Sequence, residues 1–278
     1  MRYSWADDPS AGEHAAGILV AYEDDRWHRV ADADWSGDFL HAVCHRRQAI
    51  DAAERQPLER VTLRPMFSVW QRVFCIGLNY RDHATETNSP IPSEPIVFAK
   101  MGTTLTGPGE PVRLPRVSDR VDFEAELVVL IGDGAAADPM DRVAGYCCGN
   151  DVSARDWQKG KPGRQWMMGK SFDTFAPHGP YLTTADEVAD PQSLRVRCRV
   201  GGETMQDGST AEMIFGVREI IEYLSSSIGL QYGDLIFTGT PAGVGDARTP
   251  PRYLRPGETV EVEIDGLGVL SNPVVADD

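Results

Sequence analysis

The chain has 278 residues and a formal net charge of −15 at pH 7. That length suits one large domain, or a large one with a small appendage, and the charge argues against a general nucleic-acid binder, whose surface must neutralise phosphates. No segment approaches the roughly 18 to 20 continuous apolar residues of a membrane helix, so no membrane partner is expected.

The opening stretch MRYSWADDPSAGEH is polar and acidic rather than signal-like. Five cysteines, Cys44, Cys75, Cys147, Cys148 and Cys198, are odd in number, lack a C-x-x-C spacing and include an adjacent pair. Such usage predicts reduced thiols and a cytoplasmic protein. Residues 1–70 read as a small N-terminal domain with its connector. They contain the apolar run GILVAYE, a helix-like stretch SGDFLHAVCHRRQAIDAAERQ with Phe39, Leu40, Val43 and Ile50 near helical spacing, and the proline-bearing QPLERVTLRPMFSVWQ.

Residues 71–278 read as a second, larger domain. Strand-like runs dominate it: VFCIG, PIVFAK, FEAELVVLIG, AGYCCGND, RVRCRV, DLIFTG, VEVEIDG and LGVL. One long helix is predicted in AEMIFGVREIIEYLSSSIG, with Ile214, Val217, Ile220, Ile221 and Leu224 on one face and Gly229 as its stop. The fold class is therefore α+β and β-dominated.

Four segments carry chemistry. In GLNYRDHATE a short helix would put His83 and Glu86 three apart on one face, a carboxylate orienting a histidine base; the polar, proline-rich TNSPIPSEP after it has the composition of a lid. In RVDFEAELVV, strand alternation puts Asp122, Glu124 and Glu126 on one face, yet the run continues as Val128, Val129, Leu130 and Ile131 and so reads as covered on both sides. Asp151 follows in CGNDVSARDWQ, and hard oxygen ligands without histidine or cysteine favour magnesium, calcium or manganese. MMGKSFDTF holds Lys170, one of four lysines in a chain whose other cations are arginine. FTGTPAGVG is a glycine-rich turn presenting backbone N–H groups and the Thr240 hydroxyl. Taken singly, a solvated strand edge, a surface histidine or a plain tight turn explains each of them.

Together, in this order, they resemble the fumarylacetoacetate hydrolase family. The resemblance runs from about Arg60 to Val275 through GLNYRDHATE, SEPIVFAK, DFEAELVVLIG, GYCCGNDVSARDWQ, QWMMGKSFDTFAPHGP, QDGSTAEMIFGVREII, GDLIFTGTPAGVG and PGETVEVEIDGLGVLSNPV. It implies a mixed β-roll catalytic domain, usually homodimeric, with one Mg2+ or Mn2+ ion. By position it assigns Glu124, Glu126 and Asp151 as metal ligands, and His83, Glu86 and Lys170 as catalytic residues. Arg155, Gln158, Thr240 and Gly239 fall at substrate-contact positions, and Asp122 matches no ligand. His178 stands where relatives often carry an apolar residue, and GVGDARTPPRYL departs from the family pattern.

Such a site suits a small anionic 2-oxo acid. The family resemblance implies a divalent-metal-dependent hydrolase cleaving a carbon–carbon bond in acylpyruvate-like or related 1,3-diketo acids through an enolate. A 2-oxo acid decarboxylase, or an isomerase or hydratase, would use the same enolate, and a non-catalytic binding protein ranks below these.

Overall fold

The computed structural model describes residues 1–8, 17–31, 39–133 and 138–277. At its centre is the strand Ala125–Ile131, buried along its whole length. Beyond Glu126 both faces of this strand are apolar. Ala125, Leu127, Val129 and Ile131 enter one hydrophobic core, whereas Val128 and Leu130 enter another. It pairs antiparallel with Val143–Asn150 on one side and Leu235–Phe237 on the other.

From that centre a twelve-stranded sheet extends both ways. On one flank Leu235–Phe237 pairs parallel with Val73–Gly77, which pairs with Ile96–Lys100. On the other, Val143–Asn150 is followed by Ala176–Thr184 and then by Arg2–Ala6, with Tyr3 opposite Leu182. The N-terminal residues, expected as a unit of their own, thus continue the same sheet, outward through Ile18–Glu23, Arg26–Val30 and Arg55–Pro57. Tyr3, Leu19 and the helix residues Phe39, Leu40 and Val43 share one core with Val128 and Leu130.

The helix expected from SGDFLHAVCHRRQAIDAAERQ is two short helices, Phe39–His45 and Arg47–Ala52, parted where the Arg46 backbone leaves the helical region at φ −115°, ψ 16°. Its first residues, 36–38, lie outside the described residues. A five-stranded sheet, from Glu203–Ser209 to Val112–Leu114, covers the other face of the large one. Helix Val217–Ser227 also packs there, through Val217, Ile220, Ile221 and Leu224. It starts later than the apolar pattern suggested, because Gly216 is extended and donates its N–H to the Glu219 carboxylate at 2.7 Å, so Ile214 precedes the helix. All five cysteines are free thiols, and among the described residues no helix is long and apolar enough to cross a membrane.

Candidate functional site

The buried central strand begins at a break. Val121–Asp122 pairs with Ser153–Ala154, regular pairing lapses at Phe123 and Glu124, and it resumes at Ala125. The three acidic residues of RVDFEAELVV therefore divide. Glu124 and Glu126 keep to the side of Val128 and Leu130, while Asp122 accepts from Arg155 Nε at 2.8 Å and from the backbone of Gly245 and Asp246 at 2.7 and 3.0 Å. Asp122 is thus an anchor for the arginine and for the glycine-rich turn. Asp151 reaches the glutamates because Asn150 pairs with Ala125 and the Asp151 N–H donates to the Glu124 carbonyl at 2.9 Å.

Glu124, Glu126 and Asp151 each offer a carboxylate oxygen, and these oxygens lie within 4.8 Å of one another in a buried setting. An all-oxygen, all-anionic donor set of this kind fits a hard divalent cation. Lys170 holds the cluster together, its Nζ donating to Glu124 Oε2 and Asp151 Oδ2, both at 2.6 Å. The lysine is brought there by helix Trp166–Lys170, which lies so close to helix Arg155–Gly160 that a Cβ on Gly169 would sit 2.5 Å from the Gln158 nitrogen. Lys100, at the end of Ile96–Lys100, supplies a second buried ammonium that donates to Asp151 Oδ1 and, at 3.1 Å, to the Val152 carbonyl. Arg155 adds an ion pair to Glu124 at 2.6 Å.

These partners split the carboxyl groups. Burial pushes Glu124 upward, but Arg155 and Lys170 override it and hold the group well below the usual carboxylate range. Glu126 goes the other way: burial, then Asp151 and Glu124, raise it far above its ordinary value, and Lys170 and the Gly239 N–H only partly oppose them. Burial favours the neutral form of Lys170, yet Asp151 and Glu124 keep it firmly protonated.

A cavity of about 370 Å³ opens over the triad. Its lining includes His83, Glu86, Glu124, Glu126, Asp151, Arg155, Gln158, Lys170 and Thr240, so nearly all the residues singled out from the sequence meet in one place. His83 and Glu86 lie on helix Arg81–Glu86, as the spacing suggested, with Nδ1 of the histidine 2.6 Å from Glu86 Oε1. In the neutral ring, donation from Nδ1 to the carboxylate leaves the lone pair on Nε2, the arrangement of an oriented base. Glu86 Oε2 accepts from the Gly243 N–H at 2.9 Å, tying the helix to the glycine-rich turn. Thr87 and Ser89 of the proline-rich segment also line the cavity.

Two residues of that turn brace the strand that carries the carboxylates. Gly239 donates its N–H to Glu126 Oε2 at 2.8 Å from behind the cavity, and its φ of +97° and the nearby Asn79 Cβ leave no room for a side chain. The Thr240 hydroxyl donates to the Ala125 carbonyl at 2.9 Å and accepts from Gln206 Nε2 at 2.7 Å. Lys100, Lys159, Gln206 and Asp246 were not singled out by sequence. For Lys100 a signal existed: a lysine closing an otherwise apolar strand in a chain with only four.

The family model described as fumarylacetoacetate hydrolase C-terminal matches residues 72–275. Over 209 residues the chain is 48% identical to oxaloacetate tautomerase fahd2, mitochondrial, of Xenopus laevis, covering 74% of this chain and 66% of that protein. It is 46% identical over 223 residues to oxaloacetate tautomerase FAHD2A, mitochondrial, of Homo sapiens, covering 79% and 71%. Among solved structures, the fumarylacetoacetate hydrolase of Exiguobacterium antarcticum superposes with a TM-score of 0.87 at 32% identity, and the 5-carboxymethyl-2-hydroxymuconate delta-isomerase of Mycobacterium smegmatis with 0.79 at 31%, each over 100% of both chains. The expectation of a cytoplasmic protein is overturned by the curated relatives, whose names place them in mitochondria; free cysteines report a reducing compartment and do not say which one. Motif order, site geometry and these likenesses agree, and the chain belongs to the fumarylacetoacetate hydrolase family, as one of its enzymes.

Proposed function

We propose that the protein interconverts the keto and enol forms of a small 2-oxo acid of the oxaloacetate type. The observation that carries this reading is the placement of the His83–Glu86 pair and the buried triad on one cavity. Nε2 of His83 takes a proton from the carbon next to the keto group as the C–H electron pair moves toward the keto oxygen, then gives that proton to this oxygen to complete the enol; the reverse direction runs the same two transfers backwards, and Glu86 steadies the ring while it is cationic. Lys170 has three N–H donors and spends two on Glu124 and Asp151, which leaves one for the oxygen that gains charge. Gln158, whose Oε1 accepts from Arg155 Nη1 at 2.9 Å, lines the same wall and orients the carboxylate end. Glu124, Glu126 and Asp151 would hold Mg2+ or Mn2+, which when bound supplies Lewis acidity at the keto oxygen.

Proton transfer needs a base and no attacking water, so it asks less of this site than carbon–carbon hydrolysis does. The similarity to two oxaloacetate tautomerases supports the same choice. Hydrolysis of an acylpyruvate would require His83 to activate water instead, and both substrates should be assayed side by side with magnesium and with manganese. Faster decay of enolic oxaloacetate, with acylpyruvate left intact, is the expected result. Acylpyruvate cleavage without any effect on the enol would replace this reading by the hydrolase.

A further inference from the structure

The cations facing the cavity differ in what they have left to give. Arg155 is committed to Asp122, Glu124 and Gln158, and Lys170 to Glu124 and Asp151. Lys159, one residue beyond Gln158, also lines the cavity, and its side chain is 56% exposed. Its partner is Asp246, 2.6 Å away on the short 3-10 turn Gly245–Ala247 that follows the glycine-rich loop. The pair therefore spans the outer part of the cavity, from helix to loop, while the triad lies at its buried end.

An ion pair this exposed contributes little and exchanges readily. Asp246 does not depend on it, because its other carboxylate oxygen accepts from the Tyr253 hydroxyl at 2.6 Å and its N–H is held by Asp122. Lys159 has two further N–H donors and a flexible stem. A four-carbon 2-oxo diacid, held by its 2-oxo acid end at the triad, carries its second carboxylate toward the open side. All the deep positive charge is already matched there by Asp122, Glu124 and Asp151, so that second carboxylate needs a cation from elsewhere.

We propose that Lys159 is the receptor for the distal carboxylate of a dicarboxylic 2-oxo acid, exchanging or sharing its contact with Asp246 as substrate enters, and so selects diacids over monoacids. This rests on the tautomerase reading for the orientation of the substrate. The test compares oxaloacetate with 2-oxobutanoate, which keeps the 2-oxo acid end and the chain length but ends in a methyl group. Binding of each to the magnesium-loaded protein is measured by calorimetry for the parent, Lys159→Met, Lys159→Arg and Asp246→Asn.

Losing one charge-assisted hydrogen bond predicts oxaloacetate binding weakened about tenfold or more in Lys159→Met, with 2-oxobutanoate unchanged and with most of the loss restored in Lys159→Arg. Asp246→Asn, which releases the lysine, tightens oxaloacetate. Equal weakening of both acids in Lys159→Met would show a structural role and overturn the proposal, as would no change in either. Calorimetry needs no turnover, so a protein that binds both acids but does not tautomerise oxaloacetate refutes the activity and leaves the Lys159 comparison to be read.

Discussion

Among the acidic residues of RVDFEAELVV, neighbours with identical chemistry do three different jobs. Glu124 is kept ionised by Arg155 and Lys170, Glu126 is pushed toward its neutral form, and Asp122 binds no cation site but anchors Arg155. Strand alternation made Glu124 and Glu126 legible as a pair on one face, whereas the departure of Asp122 comes from a strand break that no local pattern announces. In the metal-free fold Glu126 keeps a proton that the unfolded chain releases near the ordinary carboxylate pKa, so stability falls as pH rises beyond that value. Glu126→Gln should accordingly abolish manganese binding in a calorimetric titration and raise the metal-free melting temperature at pH 7; a variant that still binds manganese would remove Glu126 from the ligand set. His178 has the opposite sign. It is fully buried, stacked on Phe67, and burial lowers it to about 4. The unfolded histidine titrates near 6.5, so the fold loses stability as pH falls from about 6.5 to 4, by roughly 3 kcal/mol. His178→Phe should flatten that part of the acid-unfolding curve, and an unchanged curve would mean that other groups carry it.

At the scale of elements, the strands were readable where one face or both are apolar, and the helix that carries Val217, Ile220, Ile221 and Leu224 was readable from its period. Its first turn was not, since Gly216 and Glu219 set the start by a backbone contact rather than by hydropathy. The two short helices that carry Arg155, Gln158 and Lys170 have too few turns for any period to show, and their placement depends on a close approach at Gly169. Adding a single methyl there should push helix Trp166–Lys170 off its neighbour and shift Lys170 from the triad. A displacement on the order of 1 Å is enough to cost about 100-fold in rate, so Gly169→Ala should lose activity steeply with little change in its circular dichroism spectrum. Full activity would show that the helices adjust without moving the lysine.

For the whole molecule, the pairing that sequence could not supply is the longest in range: Arg2–Ala6 against Ala176–Thr184 places the first residues of the chain in the same sheet as the site. Local patterns are silent about partners some 180 residues away, and the N-terminal segment matched no family block. Assembly is likewise a matter of surface. Val69, Met101 and Trp70, the last 87% exposed, lie close together, because Gly102 abuts the Val69 carbonyl. Exposed apolar side chains grouped in this way invite cover, and we propose a homodimer, to be tested by light scattering; a monomer at micromolar concentration would contradict it. The proposed chemistry centres on the cavity that His83 shares with the buried carboxylate triad. Its most direct test is the ultraviolet decay of enolic oxaloacetate with manganese present, followed for the parent protein and for His83→Ala. The account predicts rapid decay with the parent and a loss of roughly 100- to 10,000-fold in the variant, with manganese affinity preserved. Equal rates for the two proteins would contradict it.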